Sequence, residues 1–180
     1  MTGPADGGVA CRMSGRGDQL RVAAWLSPGL PEHVPGVRHW ARAVAAAWGA
    51  HACDAGLVVT ELVTNAIRHT RSGLPGGTVT VAIAGGWDGV TVHVHDLGAD
   101  PRPERRPRLA AVDGDGLADG GRGLLIVAAA GERWGMIPAA WCPVWGPGDP
   151  AAEAGGSCTW CHLAAGAGEP GRDERDGGAR

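Results

Sequence analysis

The chain switches repeatedly between two hydrophobic periods. Leu20, Val22, Ala24 and Leu26 recur at every second residue, which predicts a strand over 20–26. The turn-rich stretch SPGLPEHVPG follows. Val37, Trp40, Ala41, Val44 and Trp48 then recur at helical spacing, so 36–48 is expected to form an amphipathic helix ended by Gly49. Residues 55–70, AGLVVTELVTNAIRHT, are apolar on most faces, the pattern of a helix buried on several sides, with Asp54 in its N-cap region. Two polar residues, Glu61 and Asn65, interrupt it.

Strict alternation returns in TVTVAIA (78–84) and GVTVHVH (89–95), joined by the hairpin turn GGWDG. Val79, Val81 and Ile83 share one face with Val90, Val92 and Val94. Asp96-Leu97-Gly98 follows directly. Residues 99–121 are a long loop rich in Pro, Arg, Asp and Gly; loops of that length are functional lids or disordered. Gly121-Arg122-Gly123 opens a helix over 124–131, 132–136 reads as a short strand, 137–156 as an irregular insertion, and 157–163 as a last strand. Residues 1–18 are expected to be a disordered leader and 165–180 a disordered tail, leaving 19–164 as one domain. The order β-α-α-β-β-lid-α-β-β is that of an α+β domain, with one mixed sheet and the helices on one face.

Composition changes this picture in one respect. All 16 basic residues are Arg, and Lys is absent. A P-loop needs Lys on the phosphates, and eukaryotic-type protein kinases need a strand Lys. Both designs are excluded, so a nucleotide site here must use other chemistry. The net charge of −3 gives no global basic field for direct nucleic-acid binding. No run of about 18 apolar residues suggests a membrane span, and the N-terminus lacks the apolar region of a secretory signal. A cytoplasmic protein with five reduced cysteines is the expectation.

Glu61 and Asn65 are four residues apart and share a helix face. A carboxylate in such an apolar helix is costly without a partner. Taken alone, the pair is better explained as a salt-bridged Glu and a satisfied core Asn. The context alters that balance. Asp96 and Gly98 end a strand, where a side chain projects into a cleft. Gly121 and Gly123 precede a helix N-terminus, a natural anion site, after a loop loosened by Gly114, Gly116 and Gly120. A base, a metal ligand, a base-reading carboxylate and a phosphate cradle then occur in an order that closes on one nucleotide.

At these residues the chain resembles the GHKL ATPases. ELVTNAIRHT looks like their N-box, Asp96-Leu97-Gly98 like the first glycine box, and GGRGLLIV (120–127) like the second. The branch it resembles is that of the anti-sigma-factor serine/threonine kinases. The likeness covers roughly 20–136 and resumes at 155–163. It implies a Bergerat-type α/β sandwich, one mostly antiparallel sheet with a long ATP lid, and ATP with Mg²⁺ as cofactors. It also implies roles: Glu61 as general base, Asn65 as Mg²⁺ ligand, Asp96 accepting from the adenine amino group, and Gly98 letting the backbone approach the base. Gly121, Arg122, Gly123 and Leu124 match the hinge closing over the phosphates. The implied function is phosphorylation of a small antagonist protein and control of a sigma factor by partner switching, with a homodimer as an option; the alternative is a non-catalytic ATP-binding module that sequesters a regulator.

Two positions depart from the family pattern. Asp100 stands where a small residue is usual, and Cys158 stands two residues before Trp160, where Thr is common. A thiol is the weaker donor, so weakened adenine contacts are expected. Cys158-Thr159-Trp160-Cys161-His162 matches the haem-attachment pattern, but strand alternation points its two cysteines to opposite faces. Zinc held by Cys142, Cys158, Cys161 and His162 is disfavoured by the same alternation. His93 and His95 lie opposite the valine face and are expected at a solvent-facing sheet edge or partner surface. The eight Trp are expected mostly in the core, with Trp87, Trp141 and Trp145 exposed.

Overall fold

The computed structural model describes residues 9–13, 21–100, 122–144 and 148–166. Its six strands are β1 (Val9–Met13), β2 (Arg21–Pro28), β3 (Thr78–Gly85), β4 (Gly89–Asp96), β5 (Arg133–Pro138) and β6 (Ser157–Ala164). They form one sheet in the order β1-β2-β3-β4-β6-β5. Four helices complete the described fold: α1 (Val34–Ala47), α2 (Ala52–His69), α3 (Arg122–Ala130) and the short α4 (Pro150–Glu153). The architecture is an α+β sandwich.

Two expectations are corrected. The leader expected over 1–18 contains β1, whose residues pair antiparallel with β2 from Val9↔Trp25 to Met13↔Arg21. The edge groups of β2 would otherwise lack partners, and an apolar run nearby in sequence satisfies them. The sheet is also not mixed, because every strand pairing among the described residues is antiparallel.

The core lies between one sheet face and helices α1 to α3. Val79, Val81, Ile83, Val90, Val92 and Val94 supply the sheet side, as the alternation predicts. Val58, Val59, Leu62 and Val63 of α2 and Val37, Ala41 and Ala45 of α1 supply the helix side. Gly56 allows the two helices to close, since a Cβ there would lie 2.6 Å from Arg42 Cγ. In β2 the helix-facing aromatic is Trp25, which meets Trp40 edge-on at 5.8 Å. Leu26, on the opposite parity, is partly exposed. The alternation of 20–26 located the strand, yet the residue that joins the core is of the other parity.

The opposite sheet face is covered too. The stretch expected as an irregular insertion folds into a 3-10 turn (Ala139–Trp141) and α4, with Ala139, Cys142, Asp149 and Ala151 buried. Asp149 caps α4 by accepting from the Ala151 amide at 3.0 Å, and Pro150 occupies its first turn. His93 and His95 therefore do not face solvent: they are 6% and 0% exposed beneath this segment.

Candidate functional site

Helix α2 presents Glu61 and Asn65, both half-buried, toward the start of α3. A Cβ on Gly123 would lie 2.8 Å from Glu61 Oε2 and 3.2 Å from Asn65 Nδ2. Only a glycine lets the first turn of α3 come this close without displacing both polar groups. The positive dipole end of α3 thus lies beside the Glu61 carboxylate and the Asn65 side-chain amide. The short apolar run after Gly123 anchors α3: Val127 is fully buried in the core.

A second group forms at the end of β4. Asp96 is 5% exposed and accepts two hydrogen bonds. Its Oδ1 takes the Gly98 amide at 2.7 Å, and its Oδ2 takes the Ser157 hydroxyl at 2.8 Å. Burial raises the Asp96 pKa above the ordinary carboxylate value, and the bonds from Ser157 and Gly98 oppose that rise. Gly98 has φ +83°, and a Cβ there would lie 3.1 Å from Gly155 O and 3.2 Å from Arg71 Nη2. Glycine is thus required on both conformational and steric grounds.

The two groups are joined through the C-terminal end of α2. Arg71 N donates to Gly98 O at 2.9 Å, Leu97 N donates to Ser72 Oγ at 3.0 Å, and Thr70 bridges Ala99. Arg71 also donates from Nη2 to Ala154 O at 2.6 Å. From Asn65 to Thr70 the helix advances about 7.5 Å at 1.5 Å per residue. One wall therefore carries a buried carboxylate near one end and a carboxylate–amide pair beside a helix N-terminus near the other.

A helix-borne Glu and Asn thus lie against a glycine at the start of α3, with an Asp-x-Gly strand end alongside. The family model of the histidine kinase-like ATPase domain matches residues 27–133. The chain belongs to this family. It is a GHKL-type, ATP-binding domain. The match runs from β2 to the first residue of β5 and includes both groups above except Ser157. No curated protein matches the chain.

Several expectations for this ATPase domain are sharpened or corrected. Gly121 lies outside the described residues, as does most of the expected lid. Arg122 begins α3, and Leu124 is 38% exposed on it. Asp100, which stands where a small residue is usual, is 1% exposed. Cys158 does not stand beside the Asp96 carboxylate. It pairs in register with His95 and points to the back face, while Ser157 pairs with Asp96 and supplies the hydroxyl. The pairing Asp96↔Ser157 becomes evident only once β6 is laid beside β4.

The other motifs resolve by strand parity. Cys161 lies in the helix-side core near Val127 O at 3.8 Å, whereas Cys158 lies on the back face, so the haem-like pattern offers no common attachment face. The zinc set of Cys142, Cys158, Cys161 and His162 is not assembled for the same reason. His162 instead meets Thr91 Oγ1 at 3.1 Å. Trp87 and Trp141 are exposed as expected, at 90% and 75%. Among the described residues, no helix is long and apolar enough to cross a membrane.

Proposed function

We propose that this domain is an ATP- and Mg²⁺-dependent serine/threonine protein kinase that phosphorylates a small antagonist protein and so controls a sigma factor by partner switching. The observation that carries the reading is the apposition of Gly123 to Glu61 and Asn65. It supports a carboxylate and an amide oxygen acting together at a helix N-terminus, which suits phosphate.

In this reading each residue has one task. Asp96 Oδ, held by Ser157 and Gly98, accepts from the adenine amino group, and Gly98 keeps the backbone free of a side chain at the base. Asn65 offers its amide oxygen to Mg²⁺, which neutralises phosphate charge when bound. The N-terminus of α3, opened by Gly121-Arg122-Gly123 and followed by Leu124, closes on the phosphates. Glu61 takes the proton from the attacking hydroxyl of the acceptor Ser or Thr, which forms its bond to the γ-phosphorus as the bond to the β-phosphate oxygen breaks. The residues fit this use on one observation: Asp96 is a buried carboxylate with its orientation fixed by two donors.

The alternative is an ATP-holding module that only sequesters its partner. The test is transfer of γ-phosphate to the cognate antagonist by wild type and Glu61→Gln. The kinase reading expects transfer by wild type and its loss in Glu61→Gln with ATP binding retained. Normal transfer by Glu61→Gln refutes the assigned base. ATP binding and stoichiometric partner capture with no transfer by wild type establishes the sequestering module instead.

A further inference from the structure

Behind the sheet, away from the nucleotide wall, three metal-type donors converge. Cys142 Sγ and Cys158 Sγ are 3.4 Å apart, and His93 Nδ1 is 3.4 Å from the first and 3.7 Å from the second. All three residues are buried, and their donor atoms lie within 4.8 Å of one another. They come from three separate elements: β4, β6 and the segment after the Ala139–Trp141 turn. Ordinary packing of small apolar groups does not require two thiols and an imidazole nitrogen at one point.

The distances have a specific meaning. A tetrahedral zinc ion with Zn–S near 2.3 Å and Zn–N near 2.05 Å places two sulfurs about 3.8 Å apart and sulfur and nitrogen about 3.6 Å apart. The three observed edges each lie within about 0.4 Å of those values. They therefore outline one face of such a tetrahedron.

A buried His–Asp pair stands beside this face. His95 follows His93 on the same side of β4 and also interacts with Cys142. Its Nδ1 is 2.5 Å from Asp149 Oδ2, and both residues are fully buried. A carboxylate on one ring nitrogen fixes the tautomer and directs the other nitrogen, the arrangement found behind metal-bound imidazoles.

We propose that His93, Cys142 and Cys158 hold a structural Zn²⁺ ion. One imidazole and two sulfurs in a buried setting select zinc over magnesium or calcium, which need oxygen ligands. Bound there, the ion ties Cys142, in the segment after the Ala139–Trp141 turn, to the back of β4 and β6. The site draws on residues outside the proposed kinase machinery and stands whether or not phosphoryl transfer occurs.

The test uses the full chain, purified under reducing conditions, stripped with chelator and reloaded with Zn²⁺ or Co²⁺. The proposal expects one zinc retained per chain after gel filtration and a thermal midpoint that rises with Zn²⁺ concentration. Co²⁺ should give the strong visible bands of a tetrahedral ion and a thiolate charge-transfer band. Cys142→Ser and His93→Gln should each lose tetrahedral intensity, while Cys53→Ser, at an exposed thiol, should leave it unchanged. Substoichiometric zinc in the reloaded wild type overturns the proposal without reference to any variant. So does a Co²⁺ spectrum indifferent to Cys142→Ser, or a Cys142–Cys158 disulfide in freshly purified protein that retains no zinc.

Discussion

The Ser157 hydroxyl donates a 2.8 Å hydrogen bond to Asp96 Oδ2, tying the first residue of β6 to the last residue of β4. Ser157→Ala would leave one oxygen of a buried carboxylate without that donor. Such a loss costs about 1–3 kcal/mol. The expected result is a lower midpoint in urea and weaker Mg·ATP binding, and Ser157→Thr should restore both. Chemical denaturation with nucleotide titration checks this. Unchanged affinity in Ser157→Ala would show that Asp96 keeps its orientation without the serine.

Gly123 offers a sharper separation of function from folding. The atoms that a Cβ would meet there are the ends of two side chains, Glu61 and Asn65, rather than backbone. They can move aside, and Ala is the better helix former. Gly123→Ala should therefore keep its stability within about 1 kcal/mol of wild type. Phosphoryl transfer should nonetheless fall roughly 10–100-fold, because the carboxylate and amide are displaced from their positions. Thermal melts and single-turnover transfer measure the two effects separately.

Thiol reactivity should divide by sheet face and exposure. Burial pushes the Cys161 thiol up to about 11, so its thiolate is scarce at neutral pH. Cys53 is exposed. Brief alkylation at pH 8 should label Cys53 and spare Cys161 until denaturant is added, with intact mass and peptide mapping as the readout. Rapid labelling of native Cys161 would contradict its placement against Val127 and Gly131.

Much of this site is legible in the sequence because its parts are local. Glu61 and Asn65 stand out as polar residues in an apolar helix, and Asp96 and Gly98 end a strand with clean alternation. What escaped is non-local. Ser157 becomes significant only through its register with Asp96. Arg71 and Ser72, which hold Gly98 and Leu97, look like ordinary turn residues until the α2 end is placed beside the β4 end. The back face escaped most completely. A segment rich in Pro, Gly and Ala carries no hydrophobic period, so its packing over His93 and His95 depends on Asp149, Ala151 and Cys142 finding partners across the sheet. β1 was missed for a related reason: a five-residue strand flanked by glycines is too short to show a period.

Central to the account is a nucleotide site shared by Asp96 and the Glu61–Asn65–Gly123 group, and isothermal titration with Mg·ATP tests it directly. Wild type should bind one ATP per chain. Asp96→Asn should lose roughly 10–100-fold in affinity, as expected for a lost charge-assisted bond of about 1.5–3 kcal/mol. Asn65→Ala should lose most where Mg²⁺ is present and least where it is chelated. Absence of binding by folded wild type, or equal binding by wild type and Asp96→Asn, would contradict it.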